Sequence, residues 1–246
     1  NRLYHCWKTN GHGKMNVTDA IKQSCDVFFY EISKKLGIDK IAEVAKDFGL
    51  GQSYDISMPN QKTGIVPNKK WKKEKIGESW YAGETLISAI GQGFVLTNPF
   101  QLAVMTSIIA SNGKIVEPTI IKDNPVSFKT NEKYSNEIKI IKKAMFQVVN
   151  ENKGTAFKSR LEDIKFAGKT GTSQVRRISL SERESDDFRE KEQEWKNRDH
   201  ALFVGYMPYD NPKYSISVII EHGGSGASTA APIAKQVFNY INELEV

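Results

Sequence analysis

Between Asn16 and Gly49 the apolar positions recur three and four residues apart: Ala20 and Ile21, then Val27, Phe28, Ile32 and Leu36, then Ile41, Val44, Ala45 and Phe48. That spacing is one face of an α-helix, so the region is predicted helical. Gly37 and Gly49 stand where helices stop, Asp39 stands where the next helix would be N-capped, and a bend near Ser24 divides the region into three short helices. From Leu50 to Tyr81 the period disappears. Gly51, Pro59, Gly64 and Pro67 punctuate this stretch, which also holds the basic run Lys69-Lys70-Trp71-Lys72-Lys73, and a long surface connection is predicted. Residues Gly83 to Gly93 then lead to Thr97-Asn98-Pro99. Pro99 suits the first position of a helix running to about Ala110 and closed by Gly113.

Beyond Gly113 the pattern mixes the two periods. Lys114 to Ile121 is short and β-branched and predicts a strand, whereas Glu137 to Val149 is helical in period. Lys165 to Val175, Ala201 to Met207 and Tyr214 to Glu221 alternate as strands do, and Asp210-Asn211-Pro212 joins the last two as a hairpin. Arg176 to Asp199 is dense in charge of alternating sign and almost empty of aliphatic residues, which predicts an exposed, mobile insertion. Ser228 to Leu244 returns to helix with Ile233, Val237, Ile241 and Leu244 on one face. The expected layout is α+β: a mainly helical part, 1–113, followed by a mainly antiparallel sheet part, 114–246, with a closing helix.

A chain of 246 residues with 39% hydrophobic and 10% aromatic residues can bury a core without covalent staples, which excludes intrinsic disorder. It has no run of about 18 apolar residues, and the start Asn1-Arg2-Leu3-Tyr4-His5 carries no signal-peptide pattern, so an anchor or export signal is expected upstream. The net charge of +6 admits nucleic acid, anionic lipid or an acidic polymer and selects none of them. The Lys69 to Lys75 cluster is read as a solvated loop face with no nucleic-acid role, because no nucleic-acid motif accompanies it. Ala89-Ile90-Gly91-Gln92-Gly93 lacks the Lys-Ser/Thr ending of a phosphate loop and is read as a tight packing turn.

The sharpest local motif is Lys169-Thr170-Gly171-Thr172 on a predicted strand. Lys169 supplies a cation, Thr170 and Thr172 supply hydroxyls, and Gly171 allows close approach of a ligand backbone, a combination that would grip a carboxylate-terminated peptide. A bare Lys-Thr-Gly also occurs as a turn, so its context decides. Serine acyl-transfer enzymes that act on β-lactams carry Ser-x-x-Lys, Ser-Asp-Asn and Lys-Thr-Gly in that chain order. Ser24-Cys25-Asp26 precedes Lys169-Thr170-Gly171, which is two of the three in order.

With Gly11-His12-Gly13, Ser24-Cys25-Asp26-Val27-Phe28-Phe29-Tyr30, Gly83-Glu84-Thr85-Leu86, Ala89-Ile90-Gly91-Gln92-Gly93 and Phe166-Ala167-Gly168-Lys169-Thr170-Gly171-Thr172-Ser173, the chain resembles the transpeptidase domain of class B penicillin-binding proteins, and within them the elongation-type penicillin-binding protein 2 group. The likeness covers nearly the whole chain and is weakest over Arg176 to Asp199. It implies the penicillin-binding protein/β-lactamase-like fold and a peptidoglycan D,D-transpeptidase. Such an enzyme binds the D-Ala-D-Ala end of a stem peptide, acylates its serine, releases D-alanine and passes the acyl group to an amine of another strand. β-Lactams would acylate the same serine. The implied setting is the periplasmic face of the bacterial inner membrane, with an N-terminal anchor and the cell-elongation membrane machinery as partner.

By this resemblance Ser24 relays protons, Lys169 favours the substrate carboxylate, and the Thr172 N–H is half of an oxyanion hole, with Asp26, Thr170 and Gly171 contacting substrate. Two departures matter. The family's nucleophile motif lies upstream of Ser-x-Asn, and the one Ser-x-x-Lys here, Ser111 to Lys114, follows it beside a helix stop. Ser111 is therefore read as a turn residue, and the chain as given is expected to be inactive. Asp26 stands where many relatives have Asn. An ionised carboxylate only accepts hydrogen bonds, which leaves Asp26 to hold a lysine or a substrate amide.

Cys6, His12 and Cys25, spaced Cys-x5-His-x12-Cys, are candidate metal ligands. Two thiolates and an imidazole suit tetrahedral zinc, which needs a fourth ligand. The resemblance implies a structural zinc beside the Ser-x-Asn motif with a further ligand upstream. A Cys6 to Cys25 disulfide and two free buried thiols remain open alternatives. His5 and His200 fall outside this pattern, and His222, before two glycines, is read as a turn residue at the mouth of the site. A β-lactamase or carboxypeptidase relative, or a non-catalytic penicillin-recognising sensor or scaffold, is the competing functional class. No Glu can be placed as the water-activating residue of the class A hydrolases.

Overall fold

The computed structural model describes residues 4–122, 128–130, 132–176 and 194–245. Its first region is the expected trio of helices: α1 (Val17–Gln23), α2 (Asp26–Leu36) and α3 (Ile38–Asp47). Asn16 caps α1, its Oδ1 accepting from the Asp19 N–H at 2.8 Å. The bend is Ser24 itself, which adopts the left-handed conformation with φ 55°. Gly37, at φ 74°, both ends α2 and starts α3. Asp39 is thus not the N-cap. It lies in the first turn, where its carboxylate accepts from the Lys69 N–H at 3.1 Å.

The stretch from Leu50 to Tyr81 departs from a plain surface connection, because the lysine run forms a helix, α4 (Lys69–Lys75), N-capped by Asn68. Lys72 turns inward and is only 1% exposed; its Nζ reaches Glu84 Oε1 at 2.5 Å and Glu78 Oε2 at 3.4 Å and lies 4.3 Å from the centre of the Tyr81 ring. One lysine of the run is therefore a packing element, held buried because two carboxylates meet it. Glu84 belongs to α5 (Ala82–Ser88). In α6 (Pro99–Ala110) the fully buried Gln101 donates to the carbonyls of Gln52 (2.6 Å) and Thr63 (2.9 Å), which fastens the irregular connection to the core.

β1 (Lys114–Val116) is shorter than its sequence pattern and pairs with β2 (Phe128–Thr130). After α7 (Ser135–Asn150) come β3 (Ala167–Ser173), β4 (His200–Met207) and β5 (Tyr214–Ile220), antiparallel in the order β3-β4-β5. A π-helical turn, Gly226–Ala230, runs into α8 (Ala231–Glu245). Ala201, Phe203 and Met207 of β4 pack with Val148, Val149, Phe166, Ala234 and Phe238. Tyr206 of β4 faces the other way, with Ile108, Ile109 and Met145. The sheet is thus buried on both faces, as period-2 alternation with apolar residues on either side requires. Gly168 and Gly205 are opposite one another on β3 and β4. A Cβ at Gly205 would fall 2.7 Å from the Ala167 carbonyl oxygen and 2.8 Å from Phe203, so the Phe203 ring needs this bare position.

The observed architecture is α+β, with α1 to α7 ahead of the main sheet and α8 closing the chain after it. Most of the predicted insertion, 177–193, lies outside the described residues. Among the described residues no helix is long and apolar enough to cross a membrane.

Candidate active site

The two sequence motifs, 145 residues apart, meet. Lys169 on β3 extends its Nζ to the Ser24 hydroxyl at 2.9 Å and to the Thr170 carbonyl at 2.7 Å. The meeting follows from local structure: the left-handed Ser24 ends α1, leaving its side chain off the helix face, and alternation on β3 turns Lys169 toward it. Ser24 is a helix-terminal residue, but its hydroxyl is committed to Lys169. Burial pushes the Lys169 ammonium down to about 8 from its ordinary 10.5, and the negative charge of Asp26 offsets part of that fall.

Asp26, in the first turn of α2, accepts from the Trp7 N–H at 3.0 Å. The Trp7 indole N–H donates to the carbonyls of Ser24 (2.8 Å) and Gln23 (3.1 Å). Trp7 therefore buckles the segment before α1 onto the Ser24 turn. The Asp26 carboxylate thus holds a backbone amide and lends its charge to Lys169.

Thr170 is buried, and its hydroxyl lies 2.7 Å from that of Thr155, whose N–H donates to the Lys22 carbonyl at 3.2 Å. That hydroxyl joins β3 to the loop after α7 and to α1, rather than being wholly free for a ligand. A Cβ at Gly171 would lie 3.3 Å from that of Leu202, so cross-strand packing is one reason for glycine there, besides the ligand approach expected from sequence. Thr172 is exposed. Its carbonyl accepts from the Gln92 Nε2 at 3.1 Å, and its hydroxyl accepts from the Gly226 N–H at 3.4 Å. Because N–H and C=O of one residue point to the same side of an antiparallel strand, the Thr172 N–H faces the outer edge of β3 as well. Among the described residues no strand pairs with that edge.

Cys6, His12 and Cys25 converge beside this turn, their ligand atoms all within 4.8 Å of one another, with Cys6 Sγ 3.4 Å from His12 Nδ1. Both cysteines are buried and unbridged, so the disulfide alternative is not realised. Burial raises the Cys6 thiol and lowers the His12 imidazole from their ordinary values. Two sulfurs and one nitrogen at these separations fit three corners of a tetrahedron with metal bonds of about 2.0–2.3 Å. The outer candidates settle simply. Ser111 donates to the carbonyls of Ile108 (3.4 Å) and Lys114 (3.2 Å), and the Lys114 ammonium lies over the Phe128 ring, so the pair is a turn. His222 occupies a turn at φ 54°, its N–H donating to His200 Nδ1 at 2.9 Å.

Three participants escaped sequence reasoning: Trp7, Gln92 and Thr155. Only Gln92 carried a signal, a polar side chain between two glycines in a segment taken for a packing turn.

The penicillin-binding protein transpeptidase domain family matches residues 1–239. The peptidoglycan D,D-transpeptidase MrdA of Haemophilus influenzae is 34% identical over 97% of this chain and 38% of its own length. That of Acinetobacter baumannii is 35% identical over 95% and 35%. Among solved structures, the complex between penicillin-binding protein PBP2 and MreC from Helicobacter pylori superposes with a TM-score of 0.85 at 33% identity, covering 98% of this chain and 42% of that one. Pseudomonas aeruginosa PBP2 in complex with WCK 5153 gives 0.78 at 34%, covering 96% and 49%. The chain spans about two fifths of the length of the MrdA relatives it matches.

Proposed function

The chain belongs to the penicillin-binding protein transpeptidase family, and on that premise we propose that it forms the larger part of a peptidoglycan D,D-transpeptidase site, the target of β-lactams. The observation that carries the proposal is the 2.9 Å contact of Lys169 with Ser24 beside the open edge of β3. The donor peptide adds to that edge. With two Lys169 protons directed at Ser24 and the Thr170 carbonyl, a third remains for the terminal carboxylate. The Thr172 N–H meets the scissile carbonyl and strengthens its bond as negative charge develops on the oxygen. Ser24, held by a cation on one lone pair, keeps its own proton to give to the leaving amine. The nucleophile comes from chain outside these 246 residues, because Ser111 is spent on a turn.

Cys6, His12 and Cys25 would hold a structural zinc, which would supply no step of the reaction and would fix the Ser24–Asp26 turn through Cys25. By its resemblance to elongation-type members of this family, the longer protein would work at the periplasmic face of the inner membrane with the cell-elongation machinery, and the solved complex of PBP2 with MreC supports its having a protein partner.

The test is acylation by a fluorescent penicillin, read by intact mass. The longer protein is labelled, and Ser24→Ala or Lys169→Ala slows labelling by about 10²–10³ at unchanged fold, the scale of one preorganised electrostatic contact. Unchanged rates in either variant would refute the roles. The 246-residue chain alone stays unlabelled, and label on Ser111 would overturn its assignment. Metal analysis of the longer protein, expressed with zinc, should find about one equivalent, lost in Cys25→Ser together with the thermal stability it confers.

A further inference from the structure

On the outer edge of β3 the backbone groups of Thr172 and Gln174 point away from β4, and the side-chain amide of Gln92 sits on both. Its Nε2 donates to the Thr172 carbonyl at 3.1 Å, and its Oε1 accepts from the Gln174 N–H at 3.3 Å. One residue of an added strand would make this kind of two-point bond, so Gln92 stands in for a strand that is not there. Its surroundings suit a part that moves. Gly91 and Gly93 on either side are exposed, with φ of 75° and 72°, and a Cβ at Gly91 would meet nothing within 4 Å. The Gln92 N–H is meanwhile held by the Ile87 carbonyl at 3.1 Å, so the backbone stays and the side chain is what can swing.

We propose that Gln92 is a latch on the peptide slot, closed when the slot is empty and displaced by an incoming acylamino-terminated dipeptide or its β-lactam mimic. This rests on the functional reading above and goes one step beyond it. If a ligand carbonyl bonds the Thr172 N–H, the same ligand residue has an amide N–H directed at the Thr172 carbonyl, because opposed residues of an antiparallel pair exchange both bonds. That carbonyl is the group Gln92 already occupies. A ligand with an acylamino N–H replaces the bond it breaks, whereas a ligand lacking one can leave Gln92 on that carbonyl. The latch thus competes with the peptide for the Thr172 carbonyl, and that carbonyl is what favours a ligand carrying an N–H.

The experiment uses the longer protein carrying the nucleophile and a penicillin with an acylamino side chain. Gln92→Met keeps the length of the side chain and removes both bonds. The dissociation constant of the complex that precedes acylation should fall about three- to tenfold, the effect of one or two modest hydrogen bonds. For a β-lactam without the acylamino group the fall should be no larger, because the bonds removed belong to the free protein and a ligand with no N–H for the Thr172 carbonyl can leave Gln92 on it. In the 246-residue chain the Gln174 amide should exchange with deuterium at least threefold faster in the variant. Gln92→Ala, with the same expectation, guards against a packing effect of the sulfur. A complex unchanged or weakened in both variants, with labelling intact, would remove the latch and make Gln92 a brace for β3. If neither wild type nor variant is ever labelled, the transpeptidase reading falls and the latch with it.

Discussion

Lys169→Met should change the stability of this chain in a way that depends on pH and follows from the burial of one ammonium group. Burial lowers Lys169 to about 8 in the folded state, against 10.5 as its ordinary value in an open chain. At about 1.4 kcal/mol per pH unit, holding the charge in place costs the fold about 3 kcal/mol at neutral pH. Between pH 8 and pH 10.5 the unfolded chain keeps the proton that the folded chain has released, so the stability of the wild type rises with pH and the cost fades. Met carries no proton and shows no such rise. It also forfeits the two bonds to Ser24 and Thr170, each worth about 1 kcal/mol. At pH 7 the variant is therefore about as stable as the wild type or slightly more so, and it falls behind by about 2 kcal/mol between pH 8 and pH 10.

Urea unfolding of both proteins at pH 7, 8, 9 and 10, followed by circular dichroism, measures the difference, and groups distant from Lys169 cancel in it. A difference constant in pH, or one that shifts in favour of the variant as pH rises, would refute the account of Lys169 as a cation buried at a cost. The outcome bears on function, because a residue that lowers the stability of its own fold is retained for what it binds.

Asp26→Asn removes the charge that supports the Lys169 proton, so Lys169 should titrate below about 8, as read by NMR of its ε-carbon; an unmoved value would separate the two groups. Gly205→Ala should cost about 1–3 kcal/mol in urea unfolding, because one of the atoms its Cβ meets is the Ala167 backbone carbonyl, which cannot step aside. An unchanged midpoint would mean that the Phe203 ring does not need the glycine pair. Thr155→Val strands the buried Thr170 hydroxyl and should lose about 1–2 kcal/mol, while the Thr155→Val/Thr170→Val double variant should lose less than the sum; strict additivity would deny the coupling.

The parts legible in the sequence are those where one period governs a whole element. The α1–α3 trio, α6 with Pro99 at its head and the three strands of the main sheet fall where the apolar spacing put them. Asp39 misled because an N-cap needs an extended backbone, and Gly37 already supplies the break two residues earlier. Lys72 misled because six neighbouring residues look like a solvated face, and only the fold brings Glu78 and Glu84 around one of them. The same division runs through the site. Ser24 and Lys169 were singled out by motifs whose order resembles a known family's, and the Cys6-His12-Cys25 set by residue type and spacing; the fold brings each group together. The contacts of Gln92 and Thr155 were not legible, since each acts through a partner about 80 or 15 residues away. Such residues leave the local pattern undisturbed: a glutamine between two glycines reads as a turn whether or not a strand edge lies opposite. The unread part of this site is thus its tertiary part, the contacts that decide whether the edge of β3 is open or closed to a peptide.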